Sequence, residues 1–180
     1  MAKVELVAEL RRLTNLGLKE CVDAINSSGN DLEKALESLK QRGLQISDKK
    51  MNSDRSTKEG VIEVYQRFNK RIAVMVEVNC ETDFVAKTLD FQNLAKDIAK
   101  HIAVSLPIAI QIPSDLPDYI AGQYDPKDYL MTQPFYTDYS ITVGEVLRQY
   151  VAKLGEKIVI KRFVIFRLDE DIDEALIKEK

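Results

Sequence analysis

The chain has 180 residues, 45% hydrophobic and 31% charged, with a formal net charge of −3. That is enough apolar material for one sizeable core or for a small domain beside a larger one, and no apolar run approaches the roughly 20 residues that span a bilayer. A slightly acidic balance argues against a broad nucleic-acid surface, because neutralising phosphates takes clustered Lys and Arg; protein partners are the expectation, with no membrane contact.

The N-terminus carries no signal-like apolar segment, which makes the cytoplasm the expected location. Cys21 and Cys80 are the two cysteines, far apart and in no Cys-x-x-Cys pair, so neither a zinc site nor a disulfide framework is suggested.

Residues 3–13 place Val4, Leu6, Val7, Leu10 and Leu13 at helical spacing. Thr14-Asn15-Leu16-Gly17 breaks that helix, and a second one over residues 18–28 puts Leu18, Cys21, Val22 and Ile25 on one side. Asn30 with Glu33 reads as a capping-box-like start, and the third helix, carrying Leu32, Leu36 and Leu39, is expected to stop at Gly43. Three helices in so short a stretch bury little surface, so a thin core is expected. Residues 44–58 lose apolar periodicity and read as a solvated linker.

Residues 59–68 and 71–80 are strand-like runs separated by Asn69-Lys70, the pattern of a hairpin. The second run is apolar at nearly every position from Ile72 to Val78, as for a strand at the sheet centre or covered on both faces. It exits into the polar cluster Asn79-Cys80-Glu81-Thr82-Asp83 and then an aromatic, Phe84. Strand ends are where rigid scaffolds hold functional groups. Phe84 is either a partner-facing anchor or the first core residue of the next helix.

That next helix, residues 88–105, carries Leu89, Phe91, Leu94, Ile98, His101 and Ile102 and is ended by Pro107. Residues 106–140 hold all five prolines and read as extended or short-helical connections. Thr142-Val143-Gly144-Glu145 matches a capping box, starting a helix that runs to Gly155. Residues 157–168 form a β-rich run able to complete a three-stranded antiparallel sheet, and the acidic tail, 169–180, is expected to fray.

No phosphate-binding loop, dinucleotide glycine pattern or nucleophile elbow is present, and one histidine with two distant cysteines makes no common triad. Glu81 and Asp83 are a conceivable carboxylate pair, the basis of a hydrolase reading. A second reading is a peptide- or ubiquitin-like-binding adaptor that works through its N-terminal helices.

The run Glu77-Val78-Asn79-Cys80-Glu81-Thr82-Asp83-Phe84-Val85-Ala86-Lys87 resembles the signature of elongation factor Ts, the exchange factor for the translational GTPase EF-Tu. Thr14-Asn15-Leu16-Gly17-Leu18 with Gly29-Asn30-Asp31-Leu32-Glu33-Lys34-Ala35-Leu36 is similar to the ubiquitin-associated (UBA) type of three-helix domain that opens that family. Leu130-Met131-Thr132-Gln133-Pro134-Phe135 and Gly155-Glu156-Lys157-Ile158-Val159-Ile160-Lys161-Arg162-Phe163 are similar to family elements further on.

The resemblance implies an α+β fold: a UBA-like domain over 1–43, a linker over 44–58, a core domain over 59–168 with a three-stranded antiparallel sheet packed against helices, and the tail. It implies a non-enzymatic exchange factor with no cofactor, metal or nucleotide of its own. EF-Tu would be gripped by Thr82, Asp83, Phe84 and Val85, with Asp83-Phe84 pushed into the GTPase, by Leu10, Arg11, Leu18 and Lys19, and by His101. For Arg11 the residues alone suggest only a solvated helix face, and for His101 a satisfied surface or core histidine. Asn15 and Val22-Asp23 depart from the family pattern. A single core subdomain implies a homodimer that rebuilds the contact surface of longer members.

Overall fold

The computed structural model describes residues 3–14, 17–111 and 125–168. The chain divides into two compact units, one of residues up to 54 together with 148–157, the other of 55–147 together with the chain from 158 on.

In the first unit the helical spacing near the N-terminus becomes α1 (Lys3–Thr14), α2 (Leu18–Ser27) and α3 (Leu32–Met51). Leu6, Val7, Leu10, Cys21, Ala24, Ile25, Ala35 and Leu39 form their shared core. Two expectations are corrected. Asn30 is not the cap of α3: it sits in the left-handed region at φ 64°, which asparagine tolerates, and Asp31 caps the helix by accepting the Lys34 N–H at 3.1 Å.

Nor does α3 stop at Gly43; it continues to Met51, so the segment read as linker from residue 44 begins as helix. A Cβ at Gly43 would lie 3.7 Å from that of Ala152, an ordinary contact distance, so this part of α3 packs beside the segment that holds Ala152. The Asp48–Arg148 pair at 3.5 Å and the Lys157 ammonium on the Ser53 carbonyl at 2.6 Å tie the extension down. Asn15, Leu16, Pro113, Pro117, Tyr119, Tyr124 and the tail lie outside the described residues.

In the second unit β1 (Glu59–Gln66) and β2 (Ile72–Cys80) form the expected hairpin, and β5 (Val159–Arg167) pairs antiparallel with β2, giving the order β1-β2-β5. The second strand is thus central, and α5 (Leu89–Ser105) packs on β1 and β2. Alternation along β2 buries Val74, Val76 and Val78 on one face. The other face leaves Ile62, Val64, Met75, Val164 and Phe166 exposed.

The helix α5 ends at Leu106, a left-handed C-cap at φ 49° directly before Pro107. Short 3₁₀ turns, Pro126–Asp128 and Leu130–Thr132, lead into a small ribbon of β3 (Pro134–Phe135) and β4 (Asp138–Thr142) that the periodicity did not announce. The capping box at Thr142 starts α6 (Val143–Leu154): Glu145 accepts the Thr142 N–H at 2.6 Å, and the Thr142 hydroxyl accepts the Glu145 N–H at 3.2 Å. No helix of the described residues is long and apolar enough to cross a membrane.

Candidate functional site

The polar cluster after β2 folds into a single helical turn, α4 (Asp83–Ala86), placed between the sheet and α5. Every joint around it is bonded. Buried Cys80 donates its thiol to the Thr82 carbonyl at 3.1 Å, and the Thr82 hydroxyl caps the turn by accepting the Val85 N–H at 3.4 Å. Thr88 then joins the turn to α5, donating to the Val85 carbonyl at 2.8 Å and accepting the Phe91 N–H at 3.3 Å.

Ala86 turns inward and is buried, while Phe84 is 80% exposed. The core alternative for Phe84 is thereby excluded within this chain. Beside it the Asp83 carboxylate accepts the Lys87 ammonium at 2.5 Å, and this bond holds its pKa below the usual aspartate value. The tip therefore presents an aromatic ring and a carboxylate that is ionised at neutral pH.

Leu89, counted into the core stripe of the following helix on periodicity, is 77% exposed. It stands five residues beyond Phe84, at the first position of α5. Spacing could not reveal this, because the first turn of a helix need not reach the surface its later turns cover.

The base of the turn is held as firmly as its far end. Asn79 is buried and donates Nδ2 to the Thr57 carbonyl at 3.0 Å. Glu81, its side chain only 12% exposed, accepts Arg55 Nη1 at 2.7 Å.

His101 is fully buried in α5 and so presents no surface of its own. Its Nδ1 accepts the Tyr136 N–H at 3.2 Å, so Nε2 carries the proton and donates to Gln133 Oε1 at 2.8 Å. Phe135 stacks on the ring with centroids 5.7 Å apart. Burial lowers the His101 pKa, partly offset by the Gln133 bond, and so favours the neutral ring. Tyr136 donates its phenol to Asp97 at 3.0 Å, and burial with that carboxylate pushes its pKa up to about 12. This cluster fastens the Gln133-Pro134-Phe135 segment to α5.

On the N-terminal helices, Leu10 is also fully buried, so it packs the helical core instead of offering a surface. Arg11, Leu18 and Lys19 are exposed. Arg11 and Leu18 line a shallow groove of about 810 Å³ between α1 and α2, whose walls include Val4, Ala8 and Val22 with Lys3 at the rim. Among the described residues no group of three or more His, Cys, Asp or Glu converges to hold a metal ion.

Comparison with known proteins places these features in context. Residues 81–177 match the family model described as Elongation factor TS. Over most of its length the chain is similar to the elongation factor Ts of Rubrobacter xylanophilus, 39% identical with 92% of this chain and 98% of the relative covered. The elongation factor Ts of Synechococcus sp. (strain JA-3-3Ab) is 39% identical over 94% of this chain and 70% of its own length. That of Desulfosudis oleivorans is 37% identical over 92% and 96%.

Proposed function

The chain belongs to the elongation factor Ts family, nucleotide exchange factors for EF-Tu in translation elongation and not enzymes, and from that premise we propose how it acts. It binds EF-Tu carrying GDP and speeds GDP release by inserting the Asp83-Phe84 element, which disturbs the magnesium and phosphate site of the GTPase. The observation that carries this reading is the exposure of Phe84 on a turn bonded at both ends. A large apolar side chain held in water by a rigid scaffold is preorganised for a pocket elsewhere.

Full burial of such a ring is worth about 1.5–3 kcal/mol, the scale of an interface hot spot. Exchange requires this binding energy to be realised mainly when the nucleotide site is disturbed. The coupling is reciprocal, so GDP weakens the partner's grip by the factor that the partner weakens GDP's. Lowering the release barrier by about 4 kcal/mol speeds release roughly a thousandfold. Asp83 brings negative charge to the magnesium side, where it polarises or displaces the groups around the ion.

The groove beside Arg11, Leu18 and Lys19 provides a second grip, with exposed apolar side chains ringed by cations. His101 acts behind the contact, as the support of the Gln133-Pro134-Phe135 segment.

The protein also pairs with a second copy of itself through the open face of its sheet. Cross-strand partners there form the rows Ile62–Glu77–Arg162 and Val64–Met75–Val164, and Phe166 extends the apolar patch. A contiguous apolar face of this kind is a typical association surface. The Glu77–Arg162 pair at 2.7 Å supplies both charges to one patch, which suits a two-fold interface in which the same surface meets itself.

Stopped-flow release of a fluorescent GDP from bacterial EF-Tu tests the exchange reading. Acceleration that saturates with this protein's concentration is expected. Release at the spontaneous rate with both proteins folded would overturn it.

A further inference from the structure

We propose that Arg55 is a positioning residue for exchange, holding the Asp83-Phe84 turn in place through Glu81; this rests on the reading of Phe84 given above. Main-chain pairing between β1 and β2 ends at Glu59↔Cys80. Beyond that point side chains take over. Residues 55–57 run as a strap below the turn and are bonded to the two residues that flank Cys80.

Asn79 Nδ2 reaches the Thr57 carbonyl at 3.0 Å, and Arg55 Nη1 reaches Glu81 Oε2 at 2.7 Å. Cys80 between them holds the Thr82 carbonyl at 3.1 Å. Three consecutive residues thus fix the backbone from which α4 starts, two of them by gripping the strap.

An exposed ion pair would ordinarily contribute little, since water screens it. This one differs on the carboxylate side. The Glu81 side chain is 12% exposed while the Arg55 side chain is 60% exposed, so a largely covered anion is met by a cation reaching in from solvent. Charge-assisted bonds to covered groups are the stronger kind. Glu81 lies two residues before Asp83 and one before the Thr82 cap, so movement of its side chain is passed directly to the turn. A misplacement of about 1 Å in a positioned group is enough to cost much of its effect.

The tests use the full chain and separate this inference from the exchange reading. The sequence contains no tryptophan, so Phe84→Trp introduces a single fluorophore at the tip, and its time-resolved anisotropy reports the turn's mobility in the free protein. Adding Arg55→Gln should at least double the amplitude of fast depolarisation. The swap Arg55→Glu with Glu81→Arg should restore the original amplitude. An unchanged amplitude in Arg55→Gln, or failure of the swap while thermal stability is retained, overturns the proposal.

The second arm measures exchange. Arg55→Gln should reduce the saturating exchange rate about tenfold in the natural background, as expected for losing a bond to a charged group, and should have no further effect beside Phe84→Ala. Additive losses would mean that Arg55 touches the GTPase directly and would overturn the positioning role. If the unmodified protein fails to accelerate GDP release, the exchange reading fails, and the anisotropy still decides whether Arg55 holds the turn.

Discussion

The backbone N–H of Tyr136 donates to Nδ1 of His101 at 3.2 Å, joining the ribbon that begins at Pro134 to the buried face of α5. This bond requires Nδ1 to be unprotonated. The folded pKa of His101 is lowered below its unfolded value, so the unfolded chain binds more protons and stability rises with pH across that window. The contribution is complete above the ordinary histidine value of about 6.5 and declines as pH falls from there toward the lowered folded value. Calorimetry from neutral pH downward should show a falling Tm, with a shallower decline in His101→Gln. A mutant slope equal to that of the natural protein would refute the assignment.

Phe84→Ala removes a ring that is 80% exposed and makes no core contribution. The circular dichroism spectrum and Tm should stay as they are, while the saturating exchange rate falls by about tenfold or more, the loss expected from a hot-spot anchor. Phe84→Leu should retain more activity than Phe84→Ala because it keeps part of the apolar volume.

Leu10 and Arg11 are neighbours with opposite expected phenotypes. Leu10→Ala leaves a cavity in a small three-helix core and should destabilise it by about 2–5 kcal/mol, visible as early unfolding of the N-terminal helices by hydrogen exchange. Arg11→Ala should leave stability unchanged, weaken EF-Tu binding, and reduce the sensitivity of that binding to salt.

The open sheet face predicts a dimer at tens of micromolar in sedimentation velocity. Met75→Glu or Val164→Glu places a carboxylate among Ile62, Val64 and Phe166 and should shift the protein to monomer with little change in monomer fold, since both side chains are already partly exposed. A monomer in the unmodified protein would remove this part of the reading.

Gly60 has φ 154°, and a Cβ there would fall 2.2 Å from the Val78 carbonyl oxygen and 2.8 Å from Asn79 Cα. The obstacle is backbone, which cannot rotate aside as a side chain can. Gly60→Ala should destabilise the protein by about 1–3 kcal/mol, the range for enforced backbone strain. Exchange should fall with it, because the displaced strand carries Asn79. An unaltered Tm would show that β1 can slide without loss.

Much of the fold could be read from local patterns. Helical spacing over the N-terminal helices, strand-like runs on either side of Asn69-Lys70, and Thr142 with Glu145 are short-range signals, and each produced the expected element. The end of α3 was hidden because its continuation past Gly43 is stabilised by contacts with residues about a hundred positions away, around Arg148 and Ala152. Arg55 looked like one charge in a solvated linker for the same reason: its partner, Glu81, lies 26 residues further on.

By itself, then, the sequence determined the long helices and the three long strands, the antiparallel pairing of the hairpin, and the family, since an unbroken run such as Glu77 to Lys87 is a one-dimensional signal. Only the tertiary structure decided which members of that pattern meet solvent. It buried Leu10 and His101, exposed Phe84 and Leu89, and left one face of the sheet open. Periodicity divides an element into two faces by spacing alone, whereas burial depends on which distant segment comes to lie on each face, and that information is not local to the residues concerned.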